Sequence, residues 1–478
     1  MLYNSIFEVV YCNLIILVRY KMKRLSRSLI LKSISKILLV IMKAFIFPLL
    51  VVTSFLVCCK AEETEIVPEE ITSVEQNLTL TDVTKSGISS NGLSDESQKI
   101  QSLIASNKKL FFPKGTYRIS KPITLSKVNN LQILGEEGTV FTTDQNKMFV
   151  VSGSIKTLDI QRISFISTKN STAEDAEGLI FIANYGASDV MDGININQCT
   201  FSIPNSKVNA IKMVSEGANS LVKNVNITYN KFLSIGRMGV EFQNHNSSPK
   251  IARFRDYTIN NNYFNDIGTV QTGSAPSCIS VSGYSLNGKI NYNKIYDMRM
   301  NTTSSVYYGI ENAGTDGLET VGNEMYSTTY GFTGILGSST YAKAKWIIKD
   351  NIINLTGSSS NTKIRGLELN NIEGVVVANN KIQVDGYGMK LDNCKKGKIT
   401  GNNVVVTKAG NVLYLQSGSA TNEISSNTLD ASRGLDHGVV IFNGSATSGN
   451  NAFQNTLIKP GNKKGDYVNL NGAVNSVK

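Results

Sequence analysis

Two histidines and one tryptophan are all that a chain of 478 residues contains of either type, and its six cysteines are nearly as sparse. Each shortage removes an option. The histidines, His245 and His437, stand alone, so there is no His-Glu-x-x-His zinc motif, and a glycine-rich phosphate loop is also absent. Cys199, Cys278 and Cys394 lie far apart on apolar stretches, which argues against a metal site or a disulfide framework and for buried free thiols. Long amphipathic runs are missing too, and without them a helical repeat has nothing to pack. Charge of one sign is scarcer than the net +11 suggests. Residues 1–59 carry eight Lys or Arg against Glu8 alone, leaving 40 basic and 36 acidic groups in the rest of the chain. A body so nearly balanced gives no support to nucleic-acid binding.

What the chain does have is repetition. An apolar residue, two positions, Asn, one position and a second apolar residue recur as Ile227-x-x-Asn230-x-Phe232, Ile259-x-x-Asn262-x-Phe264, Ile290-x-x-Asn293-x-Ile295, Ile348-x-x-Asn351-x-Ile353, Val377-x-x-Asn380-x-Ile382, Ile399-x-x-Asn402-x-Val404 and Ile424-x-x-Asn427-x-Leu429. Weaker copies sit at Asn323 and Asn451, and Cys199 takes the Asn slot in Ile196-x-x-Cys199-x-Phe201. From 199 onward the steps are 31, 32, 31, 30, 28, 29, 22, 25 and 24 residues. One unit of that size is being stacked. Short alternating runs bounded by Gly, Asn, Ser and Asp make it a β unit, and the architecture a parallel β-helix. The Asn turns the chain inward, tolerates a left-handed backbone and bonds to the next Asn in the stack.

A second column fixes the register. Gly239-Val240-Glu241-Phe242, Gly309-Ile310-Glu311, Gly366-Leu367-Glu368-Leu369, Gly388-Met389-Lys390-Leu391 and Gly438-Val439-Val440-Ile441 share a Gly-apolar-x-apolar pattern. Side chains alternate along a strand, so the residue between the apolar pair faces out of the coil. The outward series is Lys212, Glu241, Ser280, Glu311, Leu336, Glu368, Lys390, Tyr414, Val440.

The ends of the chain have a different character. Residues 1–59 form a leader: from Met42 the chain is Met-Lys, then almost wholly apolar to Val57, then Cys58-Cys59. Met22 and Met42 are both plausible starts. The Leu56-Val57-Cys58-Cys59 sequence resembles a bacterial lipoprotein signal, which implies cleavage and lipidation at Cys59 and an outer-membrane, surface-facing or periplasm-facing anchor. Residues 60–92, rich in Glu, Thr and Ser, are expected to be a flexible tether. The β-helix domain is expected over 93–478, opened by a short capping helix from Asp95 to Ala105 with Asp95 and Gln98 as a capping box.

After that helix come Phe112-Pro113-Lys114-Gly115-Thr116-Tyr117-Arg118-Ile119 and Leu131-Gln132-Ile133-Leu134-Gly135. This opening, with the repeats, resembles the pectate-lyase-like superfamily of right-handed parallel β-helices. That implies an all-β solenoid with a short N-terminal helix, and a partner that is a polysaccharide. Two family marks are absent: the paired-Asp motif of the polygalacturonases, and the Asp cluster that holds calcium in pectate lyases. Neither activity carries over by motif. No cofactor is predicted; calcium, though compatible with the family, has no supporting residues here, and no metal ligand is assigned.

The chemistry must then be sought in the outward column. Glu241 and Glu311 lie two coils apart, about 9.5 Å by strand spacing, near the upper limit for an inverting glycosidase pair. Around them the strand Arg237 to Gln243 and the following loop, with His245, Lys250, Arg253 and Arg255, form a basic patch suited to an anionic sugar chain. A lyase needs a cation to neutralise a uronate carboxylate and a base to take the adjacent proton. Arg237 or Arg253 suits the first task, and His245, Lys250 or Tyr308 the second. The expected catalytic set is Arg237, Glu241, Glu311 and His245; the expected substrate-binding set is Gln243, Lys250, Arg253, Arg255, Tyr308, Glu368 and Lys390. His437, on a short late coil, is structural or on the surface. Three functions fit a monomer built this way: lyase-type β-elimination on an anionic polysaccharide, inverting hydrolysis by paired Glu, and glycan binding without catalysis.

Overall fold

The computed structural model describes residues 78–478 except 174–176, 245–250, 271–275, 297–305, 328–330, 340–344, 358–363, 409, 433–438 and 459–465. The leader with Cys59, residues 60–77 of the expected tether, His245, Lys250 and His437 lie outside the described residues.

Each coil lays down short strands that pair in parallel with their counterparts in the coils before and after. One set makes a 14-stranded sheet. Two further sets merge into a 27-stranded sheet because the strand Ser277–Asn291 runs unbroken from one set into the other. The result is a right-handed parallel β-helix, the architecture the repeats call for. It begins earlier than expected: Thr79–Asp82 pairs with Lys108–Phe112, and Asn91–Asp95 pairs with Gly115–Arg118, so residues up to 92 are not all tether. The one α-helix among the described residues, Ser97–Leu103, is shorter than expected. Its N-cap is Glu96, which makes no side-chain cap bond. Asp95 instead accepts from the amides of Ser97 and Ser120, both at 3.0 Å, and so ties the helix start to the first coil rather than closing a capping box with Gln98.

Parallel register stacks like on like inside the coil. Phe165, Phe201, Phe232 and Phe264 form a pile on the inner face of the 14-stranded sheet, with ring centroids 5.1, 5.1 and 4.5 Å apart. All four rings are fully buried, each contributing roughly 1.5–3 kcal/mol. Cys199, Cys278 and Cys394 are buried in the same interior, and none of the three is in a disulfide. Glycine in the second column has a packing reason: a Cβ on Gly366 would lie 2.4 Å from the Ile382 side chain and 2.6 Å from the Gly388 carbonyl oxygen. Chain and neighbouring coil approach too closely there for any side chain.

The Asn column runs as one ladder from Cys199 through Asn230, Asn262, Asn293, Asn323, Asn351, Asn380, Asn402 and Asn427. At Asn293 the amide N–H and Nδ2 both donate to Asn323 Oδ1, at 2.9 and 3.0 Å, Nδ2 also donates to the Ile259 carbonyl, and Oδ1 accepts twice from Asn262. Two details differ from expectation. The ladder ends on Asn455, not Asn451, because Ala452 fills the small apolar slot of that copy. The left-handed residue is the one before the Asn, as at Tyr229, Asn261, Tyr292, Asp350 and Asn379. A second, shorter ladder of Asn422, Asn450 and Asn475 lines another corner near the C-terminal end.

Candidate functional site

Parallel pairing places Lys212, Glu241, Ser280, Glu311, Leu336, Glu368, Lys390 and Tyr414 side by side in one row. In the next coil the row passes to Ile441 rather than Val440, because Tyr414 pairs with Ile441 there. A companion row opens the same strands three residues earlier: Ser277, Tyr308, Thr333, Arg365 and Tyr387 pair in sequence. Contacts between the rows put them on one face: Ser277 donates to Glu311 Oε2, and Arg365 reaches Glu368.

Facing out of the coil does not mean facing water. Lys212 is 1%, Arg237 6% and Glu241 7% exposed. This corrects the expectation that each coil simply presents one side chain to solvent, and it changes the energetics of the cluster. Three donors converge on Glu241 Oε2: Lys212 Nζ at 2.6 Å, Arg237 at 2.6 Å and Asn209 Nδ2 at 2.8 Å. Arg237 also donates to Asn209 Oδ1 at 3.0 Å, and Lys212 Nζ donates to Gln243 Oε1. Burial works to raise the Glu241 carboxyl, but the two cations outweigh it and hold the group below the ordinary carboxylate range. Burial also pulls the Lys212 ammonium down, against the pull of Glu241 in the other direction. Glu241 is therefore held as an anion between two buried cations.

Glu311 sits two strands further along, about 9.6 Å by backbone spacing. Its environment is the reverse. No cation bonds it among the described residues; Ser277 and Ser280 hydroxyls donate to its Oε2 at 3.1 and 2.9 Å. Burial raises this carboxyl, and the charge of Glu241 adds to the rise, against the two hydroxyls and the more distant Arg237. With Oε2 occupied as an acceptor, the proton belongs on Oε1. Tyr308, from the companion row, is raised as well, first by burial and then by Glu311 and Glu368, so it stays a protonated donor. The base role open to it on sequence grounds does not suit it.

The far end of the face is a second ion cluster. Arg365 Nε lies 2.9 Å from Glu368 Oε2, Lys390 Nζ lies 2.8 Å from Glu368 Oε1, and the Arg365 guanidinium stacks at 5.8 Å over the Tyr387 ring. Both Glu368 oxygens are held by cations, which leaves this carboxylate a positioning part rather than a proton carrier.

Of the expected residues, the structure thus brings Arg237, Glu241, Gln243, Tyr308, Glu311, Glu368 and Lys390 onto one face. Two do not join it. Arg253 is 1% exposed and donates to the carbonyls of Ser220 and Ala218, where it fastens a turn. Arg255 projects from a different strand set, paired with Lys223 and Leu286, and is exposed. The basic patch expected over residues 237–243 and the following loop is divided because a new strand begins at Phe254. Lys212, Asn209, Ser277, Ser280 and Arg365 are functional neighbours that the sequence reading left without a role. Lys212 and Ser280 stand in the row itself, and counting three residues back from a row position finds Asn209, Ser277 and Arg365. Among the described residues no group of His, Cys, Asp or Glu converges as a metal site.

Residues 80–291 match the family described as rhamnogalacturonase A/epimerase, pectate lyase-like. No curated protein matches the sequence. Among solved structures, the pre-mature gene product 12 of bacteriophage phi29 is similar with a TM-score of 0.51 and 13% identity, over 83% of this chain and 52% of that one. The A-module of a mannuronan C-5 epimerase from Azotobacter vinelandii gives 0.48 and 13%, over 84% and 100%. An α-1,3-glucanase catalytic unit from Streptomyces thermodiastaticus gives 0.49 and 14%, over 84% and 69%. At these identities the likeness is one of fold.

Proposed function

We propose that this chain, a pectate-lyase-like right-handed parallel β-helix, binds a polysaccharide along the charged face and cleaves it by hydrolysis with Glu311 and Glu241 as the acid and base. One observation carries the reading: two carboxyls in one row, two strands apart, are pushed in opposite directions by their surroundings. Opposed shifts on neighbouring acids are how a site divides the roles of acid and base. Glu311 delivers the proton on Oε1 to the leaving glycosidic oxygen as the C–O bond breaks. Glu241 takes a proton from the water whose oxygen bonds to the sugar carbon, through Oε1, since the three donors occupy Oε2. A backbone spacing of about 9.6 Å leaves room for that water and implies inversion at the sugar carbon.

A second reading rests on the cations of this face. Lys212 and Arg237 flank Glu241, as Arg365 and Lys390 flank Glu368. A face lined with cations suits an anionic sugar chain, and in that setting an ionised Glu311 is the base of an elimination. Arg253 is fastened to the Ser220 and Ala218 carbonyls and does not serve that reading, whereas hydrolysis is supported by the opposed shifts of two carboxyls in one row. The discriminating experiment screens a polysaccharide panel for new reducing ends and for ultraviolet absorbance. Reducing ends alone support hydrolysis; absorbance with them supports elimination; neither with any substrate leaves glycan binding as the function. We also propose lipid anchoring at Cys59 from the leader sequence. Cys59→Ser should free the protein from the membrane fraction, and an unchanged distribution counts against it.

A further inference from the structure

The corner before each ladder Asn holds a left-handed residue, and most coils fill it with a small or polar type: Asn261, Gly322, Asp350, Asn379, Gly401 and Ser426. Two coils place tyrosine there. Tyr229 and Tyr292 both have φ of 56°, and they are 58% and 56% exposed. A bulky side chain in this region is strained, and an exposed ring recovers little of that cost by packing. Strained backbone and exposed ring together point to a use outside the fold.

The surroundings indicate what kind. Tyr229 and Tyr292 are separated by one coil, Asn261, so their backbones lie about 9.6 Å apart along a straight edge. Two sugar units of an extended glycan span such a distance. Beside Tyr229 lies an open depression of about 490 Å³, bordered by Arg162, Gln198 and Lys231 as well as the tyrosine. Gly322 gives Tyr292 its place, because a Cβ there would lie 2.6 Å from the ring. Aromatic rings with amide and cationic donors beside them recognise the apolar faces and hydroxyls of sugars. A protein groove-binder would need a broader apolar area than two isolated rings.

We infer that the Tyr229–Tyr292 edge is a second, non-catalytic glycan-binding site, which holds a polysaccharide on the Asn corner while the charged face acts on it. The inference shares its ligand class with the proposed function but not its readout. The test is electrophoresis of the full chain in native gels containing polygalacturonate, alginate, xylan or a soluble β-glucan. Wild type should be retarded by at least one. Tyr229→Asn with Tyr292→Asn uses the residue other coils place there, so the fold should hold, and retardation should weaken by about fivefold or more. Tyr229→Phe with Tyr292→Phe should retain it, and Glu311→Gln should be retarded like wild type even if turnover is lost. Equal retardation of the double Asn variant, or none of wild type in any of the four gels, overturns the site. Tyrosine-dependent retardation without turnover on any substrate would sustain the site and reject the hydrolase.

Discussion

Two columns of polar side chains run along this solenoid, and they are built on opposite rules. The Asn ladder repeats one residue, carries no charge and joins each member to the next by the same bonds over eight successive steps. The charged row changes residue at every strand, and adjacent members differ in charge, burial and proton affinity. Both are set by the same parallel register. Repetition is what a stack needs to propagate itself, so a position where the register is kept and the residue type is not has been released from that duty. The difference between the columns is therefore the best guide to which part of the surface carries the proposed function.

The comparison can be broken most severely in the ladder. Asn293→Ala removes the acceptor of two Asn262 donors and the donor to the Ile259 carbonyl, all fully buried. Unsatisfied buried groups of this kind should cost about 5 kcal/mol in denaturant unfolding without any direct effect on the charged face. A loss below about 1 kcal/mol would mean that the ladder is ornamental. Glu241→Gln is next. It removes the carboxylate that Lys212 and Arg237 share in a buried cluster, and stability should fall by about 3 kcal/mol, in contrast to the small effect expected of a solvated surface acid. Unchanged unfolding would show that the cluster is far wetter than its burial implies.

What was legible in the sequence follows the same division. The ladder, the inner apolar positions and the row could be counted because repetition makes each coil a check on the others. Errors fell where a coil departs from the pattern: Ala452 disguised the Asn455 copy, and a one-residue shift replaced Val440 with Ile441. The site was legible in part. Glu241 and Glu311 were found by register, but that Lys212 and Arg237 both grip one oxygen of Glu241 depends on how long side chains fold over the sheet, which spacing does not encode. Arg253 and Arg255 were misplaced because charge was read by proximity in sequence. A strand begins at Phe254, and one residue on either side of such a boundary faces a different neighbour.

A substitution that separates the two acids sharpens the contrast within the row. Glu311→Gln should reduce turnover about a hundredfold or more, near 2.7 kcal/mol of transition-state stabilisation. Stability should move the other way. The folded state holds the Glu311 proton more tightly than the unfolded chain, so the stability linked to it is complete below the unfolded pKa and is lost as pH rises through the raised folded value. Glutamine has no proton to lose. The variant should therefore gain on wild type as pH rises above the ordinary carboxylate range, as urea melts at several pH values would show. If it instead loses stability at every pH, Glu311 is held ionised in the folded protein, as Glu241 is.

The smallest expected effect decides between the two reactions. Ser280 donates to Glu311 Oε2 at 2.9 Å and so favours the ionised form, which keeps the carboxyl from rising further. Ser280→Ala removes that support without touching the cations, and the Glu311 carboxyl should rise further. Which limb of the pH–rate profile moves depends on the role. An acid must be protonated to act, so in hydrolysis Glu311 governs the alkaline limb, and the variant should stay active to higher pH. A base must be ionised, so in elimination it governs the acidic limb, and activity should begin at higher pH than in wild type. A profile that moves on neither limb would remove Glu311 from proton transfer and turn attention to the Arg365, Glu368 and Lys390 cluster on the same face.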